Sequence, residues 1–296
     1  IMRRYLDPKA DLTFKKVFGE HPELVTSFLN AMLPFEQHEE EIESVEYLNP
    51  ELVPDNPLRK DSIVDVRCYD RRGRQFIVEM QMMWTSAYKQ RVLFNASKAY
   101  VSQLDKGVDY NLLQPVYSLN LVNDTFSKSD EYYHDYRIVE VAETSEVIEG
   151  LRFIFIELPK FTPKSFCEKR MQVLWLRYLT EINENTRQVP EELLADPDIN
   201  KAVTQLEEGA FSKAQLLGYE KFWDMVSTAK MNISSARQDG IEQGRREGMQ
   251  QGLQQGLQQG REEERMKIAA SMKALGLGVE DIAKATGLPA EKIAKL

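Results

Sequence analysis

Two carboxylates sit in neighbouring segments of alternating polarity, Asp65 within 61–70 and Glu79 within 75–83. Val64, Val66, Cys68, Phe76, Val78, Met80 and Met82 are apolar and all even-numbered, which predicts two strands sharing one buried face. The odd-numbered face mixes Asp61, Ile63, Asp65, Arg67, Tyr69, Gln75, Ile77, Glu79 and Gln81, and is expected to be functional or half-exposed. Arg71-Arg72-Gly73 suits a three-residue hairpin loop with Gly73 in the left-handed position. Asp70 then faces Arg74, Asp65 faces Glu79 and Ile63 faces Gln81, so both acids project from one face with Cβ atoms about 5 Å apart. Unpaired carboxylates at that spacing repel, and a hard divalent cation relieves the repulsion. Mg2+ is commonly held by one or two carboxylates with water and phosphate, Mn2+ and Ca2+ being alternatives; the Met80 backbone carbonyl is a further candidate ligand. Such a site polarises a phosphodiester and acidifies a bound water, while Gln81 orients that water or a phosphate oxygen and Arg91 offsets developing charge. In the competing reading each acid pairs with a nearby arginine, such as Arg67, and does no chemistry; the residues alone leave both open.

The elements that must hold these residues can be read around them. Asp11-Leu-Thr-Phe-Lys-Lys-Val-Phe predicts an amphipathic helix capped by Asp11, with Phe14 and Phe18 at helical spacing, and a second helix runs from Glu23 to Met32. Strand-like segments follow near 44–52, 61–70 and 75–83, then a helix near 86–104 and a strand at Pro115 to Val122. The order is α-β-β-β-α-β, a mixed sheet flanked by helices. Leu151 to Leu158 reads as a further strand, and helices are expected at Phe166 to Ile182, Ile199 to Glu208 and Gln215 to Ala229. Four regions result: 1–160 carrying the acids, a helical extension over 161–235, a repeat arm over 236–266 and a helix-turn-helix-like segment over 267–296.

Composition narrows the function classes. With 42% apolar residues in 296, the chain can bury a substantial core. Two isolated cysteines, Cys68 and Cys167, exclude a disulfide framework or a cysteine-ligated zinc and fit a reducing cytoplasm. No apolar run reaches the roughly 18 residues of a membrane span, so no membrane partner is expected. His21, His38 and His134 are scattered, which argues against a histidine-metal cluster or a Ser-His-Asp triad, and no strand precedes a phosphate-binding glycine loop. A net charge of −9 means that any DNA contact must use a local patch. Candidates are Lys60, then Arg71, Arg72 and Arg74 around the turn, and Lys89, Arg91 and Lys98 along the following helix. A solvated charged face is the plainer explanation of each.

Gly240, Gly244, Gly248, Gly252, Gly256 and Gly260 recur every fourth residue. Each costs about 1 kcal/mol against alanine inside a helix, so something must compensate. Close packing against another helix would, with Ile241, Met249, Leu253 and Leu257 as a ridge beside the glycines. A four-residue period drifts about 40° per repeat and favours a right-handed wrap. This predicts a homo-oligomerisation arm; a flexible low-complexity linker is the other reading. Beyond it, Gly278 to Ile293 has the spacing of a helix-turn-helix, but its second helix is short for groove reading, and a cap or dimer contact serves equally.

The ordered motifs resemble the recombination-promoting nuclease (Rpn) family, a transposase-labelled bacterial branch of the PD-(D/E)XK nucleases. The resemblance rests on Asp11-Leu-Thr-Phe-Lys-Lys-Val-Phe-Gly, Lys60-Asp-Ser-Ile-Val-Asp-Val, Phe76-Ile-Val-Glu-Met-Gln and the helix with Tyr88, Arg91 and Tyr100. It continues through Asp109 to Leu121 into the glycine repeat. It implies a restriction-endonuclease-like core and metal-dependent DNA cleavage with little sequence preference, linked to recombination, mobile DNA or defence. Asp65 and Glu79 match the metal-binding acids, with Asp11 a further acidic candidate. Gln81 stands where the superfamily pattern has lysine, so the missing cation is sought from Arg91, Lys89 or Lys60. The alternative function is a catalytically silent nuclease fold that binds DNA or protein as an oligomeric module.

Overall fold

The computed structural model describes residues 4–35, 37–52, 62–105, 107, 109–163 and 170–296. It divides into two units, residues 1–227 and 228–296. Lys60, Asp61, Phe166 and Cys167 lie outside the described residues.

In the first unit, α1 (Asp11–Glu20) and α2 (Pro22–Met32) precede β1 (Val45–Tyr47), β2 (Glu51–Leu52), β3 (Ser62–Ile63), β4 (Val66–Asp70) and β5 (Gln75–Gln81). Next come α3 (Tyr88–Val101), β6 (Val116–Val122), β7 (Tyr133–Val139), β8 (Val147–Glu157), α4 (Arg170–Glu181), α5 (Glu191–Leu194) and α6 (Pro197–Gln205). Six strands form one sheet in the order β1-β4-β5-β6-β8-β7, and β2 pairs with β3 alone. The β5–β6 and β6–β8 pairings are parallel and the rest antiparallel. The mixed sheet and its α-β-β-β-α-β order agree with the expectation from sequence. A parallel β5–β6 pair needs a long crossover, and α3 supplies it.

Both faces of the central strands are covered. On one, Phe14, Phe18, Phe28 and Trp175 from α1, α2 and α4 pack with Val66, Cys68, Phe76 and Val78; the Phe14 and Phe18 rings lie 4.8 Å apart. On the other, α3 lays Ala96 and Ala99 against Ile77 and Val116, and Tyr88 and Val92 against Val122 and Phe155. Two alanines let the helix approach closely. A strand buried on both sides loses strict alternation, and Ile77 and Glu79 are buried, so the odd-numbered face of β5 is not the half-exposed surface the alternation predicts.

The hairpin turn forms as expected: Gly73 has φ 79°, its N–H donates to the Asp70 carbonyl at 2.9 Å, and the ladder runs Tyr69–Gln75, Cys68–Phe76, Arg67–Ile77 and Val66–Val78. Continued one residue beyond Val66–Val78, that register sets Asp65 opposite Glu79. Other boundaries differ. The segment 61–70 breaks at Asp65 because the Val64 N–H donates to the Pro50 carbonyl at 3.1 Å, and Val64 clusters with Leu52 and Ile77 rather than beside Val66. The segment 44–52 likewise divides into β1 and β2. Asp11 is the first residue of α1 and makes no cap; Ala10 is the N-cap.

A single helix, α7 (Lys213–Ala274), contains both the predicted Gln215–Ala229 helix and the whole glycine repeat. In the second unit the six repeat glycines are exposed, and a Cβ added at any of them would meet nothing within 4 Å. There α8 (Val279–Thr286) and α9 (Ala290–Ala294) flank Gly287 at φ 69°. Ile282, Leu288 and Ile293 pack on Ala269. Among the described residues no helix is long and apolar enough to cross a membrane.

Candidate active site

Asp65 occupies the bend where β4 begins, and its position follows from that break. Its Oδ2 accepts a hydrogen bond from the Met80 N–H at 2.8 Å. In an extended strand the N–H and C=O of one residue point to the same side, so the Met80 carbonyl also opens toward Asp65. Glu79, one residue earlier, projects beneath α3. There Asn95 Nδ2 donates to its Oε1 at 3.0 Å and Arg91 Nη2 to its Oε2 at 3.2 Å. Asn95 is held in turn by Ser62, whose hydroxyl donates to Asn95 Oδ1 at 2.5 Å. The Gln81 carboxamide is fixed at both ends, accepting from Arg91 at 2.7 Å and donating to the Met83 carbonyl at 2.6 Å.

These acids carry their charge at a cost. Burial pushes the Asp65 carboxyl up to about 6, helped by the Glu79 and Asp11 charges and opposed by the Met80 N–H and Lys15. Burial also raises Glu79, against the pull of Arg91 and Asn95. A dication offsets that kind of stored repulsion. Two carboxylates and a backbone carbonyl are hard oxygen donors, the set expected when water and phosphate complete the shell. Among the described residues no three His, Cys, Asp or Glu side chains converge as a metal cluster, and Asp11 is engaged with Lys15. Its Oδ1 lies 2.6 Å from Lys15 Nζ.

Lys15 was missed by the sequence reading. Its ammonium lies 4.0 Å from Asp65 Oδ1, which makes it a cation at the open end of the acids. Nothing in a helical Asp11–Lys15 pair distinguishes it from an ordinary surface pair. Asn95 was also missed, although its signal was present: a polar residue on the apolar stripe Tyr88, Val92, Asn95, Ala96 and Ala99 asks for a buried partner.

The proposed DNA-contacting residues separate. Arg71, Arg72 and Arg74 lie at the far end of the hairpin, six residues and about 20 Å from Asp65 along an extended strand. Arg71 pairs with Glu43 at 2.8 Å and Arg72 donates to the Glu39 carbonyl. Arg74 is buried, with Nε donating to Asp70 Oδ2 at 2.7 Å and its guanidinium over the Phe35 ring; it is part of the turn and unavailable to a phosphate. On α3, Lys98 Nζ donates to the Leu52 carbonyl at 2.5 Å, and Lys89 lies among aromatic rings. Arg67 bonds to Gln75 at 3.0 Å; the arginine that pairs with an acid, as the competing reading expects, is Arg91 on Glu79. Of the expected site residues, Asp65, Glu79, Met80, Gln81 and Arg91 converge.

The sequence pattern of the PD-(D/E)XK nuclease family transposases matches residues 8–236, from before α1 to within α7. No significant match to a curated protein or to a solved structure was found. A match over most of the chain, spanning the sheet and both acids, shows that this protein belongs to the PD-(D/E)XK nuclease family transposases.

Proposed function

We propose that the chain is a metal-dependent endonuclease that hydrolyses DNA phosphodiesters with little sequence preference and serves recombination, mobile DNA or defence against foreign DNA. The observation that carries this reading is the pair of charge-strained carboxylates, half-buried Asp65 and buried Glu79, on either side of the Met80 backbone. These three groups would hold the cation, with Mg2+ first and Mn2+ or Ca2+ as alternatives. When bound, it polarises the phosphodiester and acidifies a water.

The chain's own groups do the rest. Asn95 and Arg91 fix the Glu79 carboxylate, and the Met80 N–H fixes that of Asp65, so neither must reorganise during reaction. Gln81 is clamped and serves as a positioning group for the Arg91 guanidinium, which is half exposed and can meet a phosphate oxygen. Lys15 supplies positive charge on the Asp65 side, the charge that an amide at Gln81 lacks. Water adds to phosphorus, one P–O ester bond breaks, the water loses a proton to solvent and the leaving alkoxide takes one up. Plasmid nicking with Mg2+, Mn2+ or Ca2+ tests the proposal. Nicking that needs the metal and disappears in Asp65→Ala supports it; equal nicking by the variant sinks it.

The second unit supports a homo-oligomeric arm. Ile241, Met249, Leu253 and Leu257 are exposed beside glycines that meet nothing in their own chain, and a second helix packed on that stripe explains both. Deleting 240–296 is expected to lower the light-scattering mass to that of a smaller oligomer, and an unchanged association number refutes the arm.

A further inference from the structure

Beside the acids, on the segment between β5 and α3, lies an aromatic surface that the hydrolytic reading does not use. Trp84 and Phe126 stack with centroids 4.1 Å apart and planes 19° from parallel. Both rings are partly exposed, and Tyr136 on the edge strand β7 is 39% exposed. Lys89 reaches over this group, 4.6 Å from the Tyr136 centroid and 5.1 Å from that of Phe126, with Nζ donating to the Tyr136 hydroxyl at 2.9 Å.

The surface is built rather than incidental. Asp124 Oδ2 accepts from the Trp84 N–H at 2.9 Å, and Glu157 Oε2 accepts from the Phe126 N–H at 2.7 Å. Glu157 is itself anchored by His134 and Lys160, each at 2.8 Å. One buried ring separates this group from the acids: the Arg91 guanidinium that touches Glu79 lies 4.7 Å over the Tyr88 ring, and Tyr88, itself buried, meets Trp84 edge-on at 5.7 Å. Rings whose backbones are pinned, with a cation among them and phosphate-directed groups one ring away, suit successive unpaired bases, which stack on any π-face while the cation follows the backbone. Bases within a duplex cannot present their faces in this way.

The geometry points to a binding platform for single-stranded DNA formed by Trp84, Phe126, Tyr136 and Lys89, leading an unpaired segment to the Asp65–Glu79 site. The assignment rests on the nuclease reading of those acids for its purpose, so its test is binding to the Asp65→Asn protein, in which cleavage plays no part. Anisotropy titrations compare a labelled oligothymidine with a blunt duplex of equal length. Trp84→Leu and Tyr136→Ser are expected to weaken the single strand about tenfold or more and the duplex less than twofold. Lys89→Gln is expected to reduce the salt slope for the single strand by about one. Thermal melts check folding, and should Trp84→Leu fail to fold, Tyr136→Ser on the exposed edge carries the test. Unchanged affinities overturn the platform and leave the rings to a protein contact, and equal losses on strand and duplex overturn it as well. A strand-selective effect without metal-dependent cleavage by the unmodified protein would keep the platform and remove the catalytic reading alone.

Discussion

The two ends of one hairpin each set an aspartate beside a basic side chain and backbone N–H, and they do opposite things with them. At the turn, Asp70 Oδ1 accepts from the N–H groups of Arg72 and Arg74 at 3.0 and 2.9 Å, and Oδ2 takes the Arg74 guanidinium at 2.7 Å. Donors surround that carboxylate and both partners are buried. At the open end half-buried Asp65 has one N–H donor and a lysine at 4.0 Å, and desolvation, with the neighbouring Glu79 charge, raises its proton affinity. A satisfied charge is structure; a half-buried acid left short of donors is stored repulsion that a cation or substrate can relieve.

The largest effect that divides the two ends is on cleavage. Asp65→Ala or Glu79→Ala is expected to lower metal-dependent plasmid nicking by about a thousandfold, whereas Asp70→Ala should leave the rate per folded molecule within a few-fold. Equal loss in all three would erase the distinction. Stability should invert that order. Removing Asp70 strands the Arg74 guanidinium and is expected to cost about 3–5 kcal/mol in urea unfolding, and a cost under about 1 kcal/mol would mean that the turn pair is not structural.

Lys15→Gln is expected to reduce the maximal cleavage rate about 10- to 100-fold at saturating DNA, with partial recovery in Lys15→Arg. A change confined to affinity would make Lys15 a simple phosphate contact. The pH dependence of the metal-free protein gives a smaller effect. Because the folded Asp65 carboxyl sits at about 6 against an ordinary 3.8, folding takes up a proton, and its stabilising contribution is present below pH 3.8 and lost as pH rises through about 6. Asp65→Asn should therefore stabilise the metal-free protein at pH 7 by about 1–2 kcal/mol and flatten the fall in stability between pH 4 and 6. Destabilisation would show that the carboxylate is needed for folding. Smallest of all, Arg71→Ala breaks only an exposed pair with Glu43 and should change stability by less than about 1 kcal/mol. A reduced salt slope for DNA binding in that variant would extend the interface to the turn end.

Much of this was legible in the chain alone. Local chemistry determines the hairpin: glycine at the left-handed turn position and alternating side chains set a register that carries Asp65 to Glu79, because a shift of one residue would turn every apolar side chain outward. The order of elements follows from periodicity in the same way, and the family from the sequence pattern over residues 8–236. What only the tertiary structure decided depends on contacts between residues distant in sequence. Burial of Ile77 and Glu79 required α3 to cross over the sheet. The break at Asp65 required Pro50 to compete for the Val64 N–H, which turned a predicted strand residue into a carboxylate at a strand end. The departure of Arg74 from the candidate DNA surface and the arrival of Lys15 beside the acids have the same origin. Charge and spacing state which groups a chain possesses, but whether a charge is satisfied, stranded or offered to a substrate is set by the neighbours that folding brings to it.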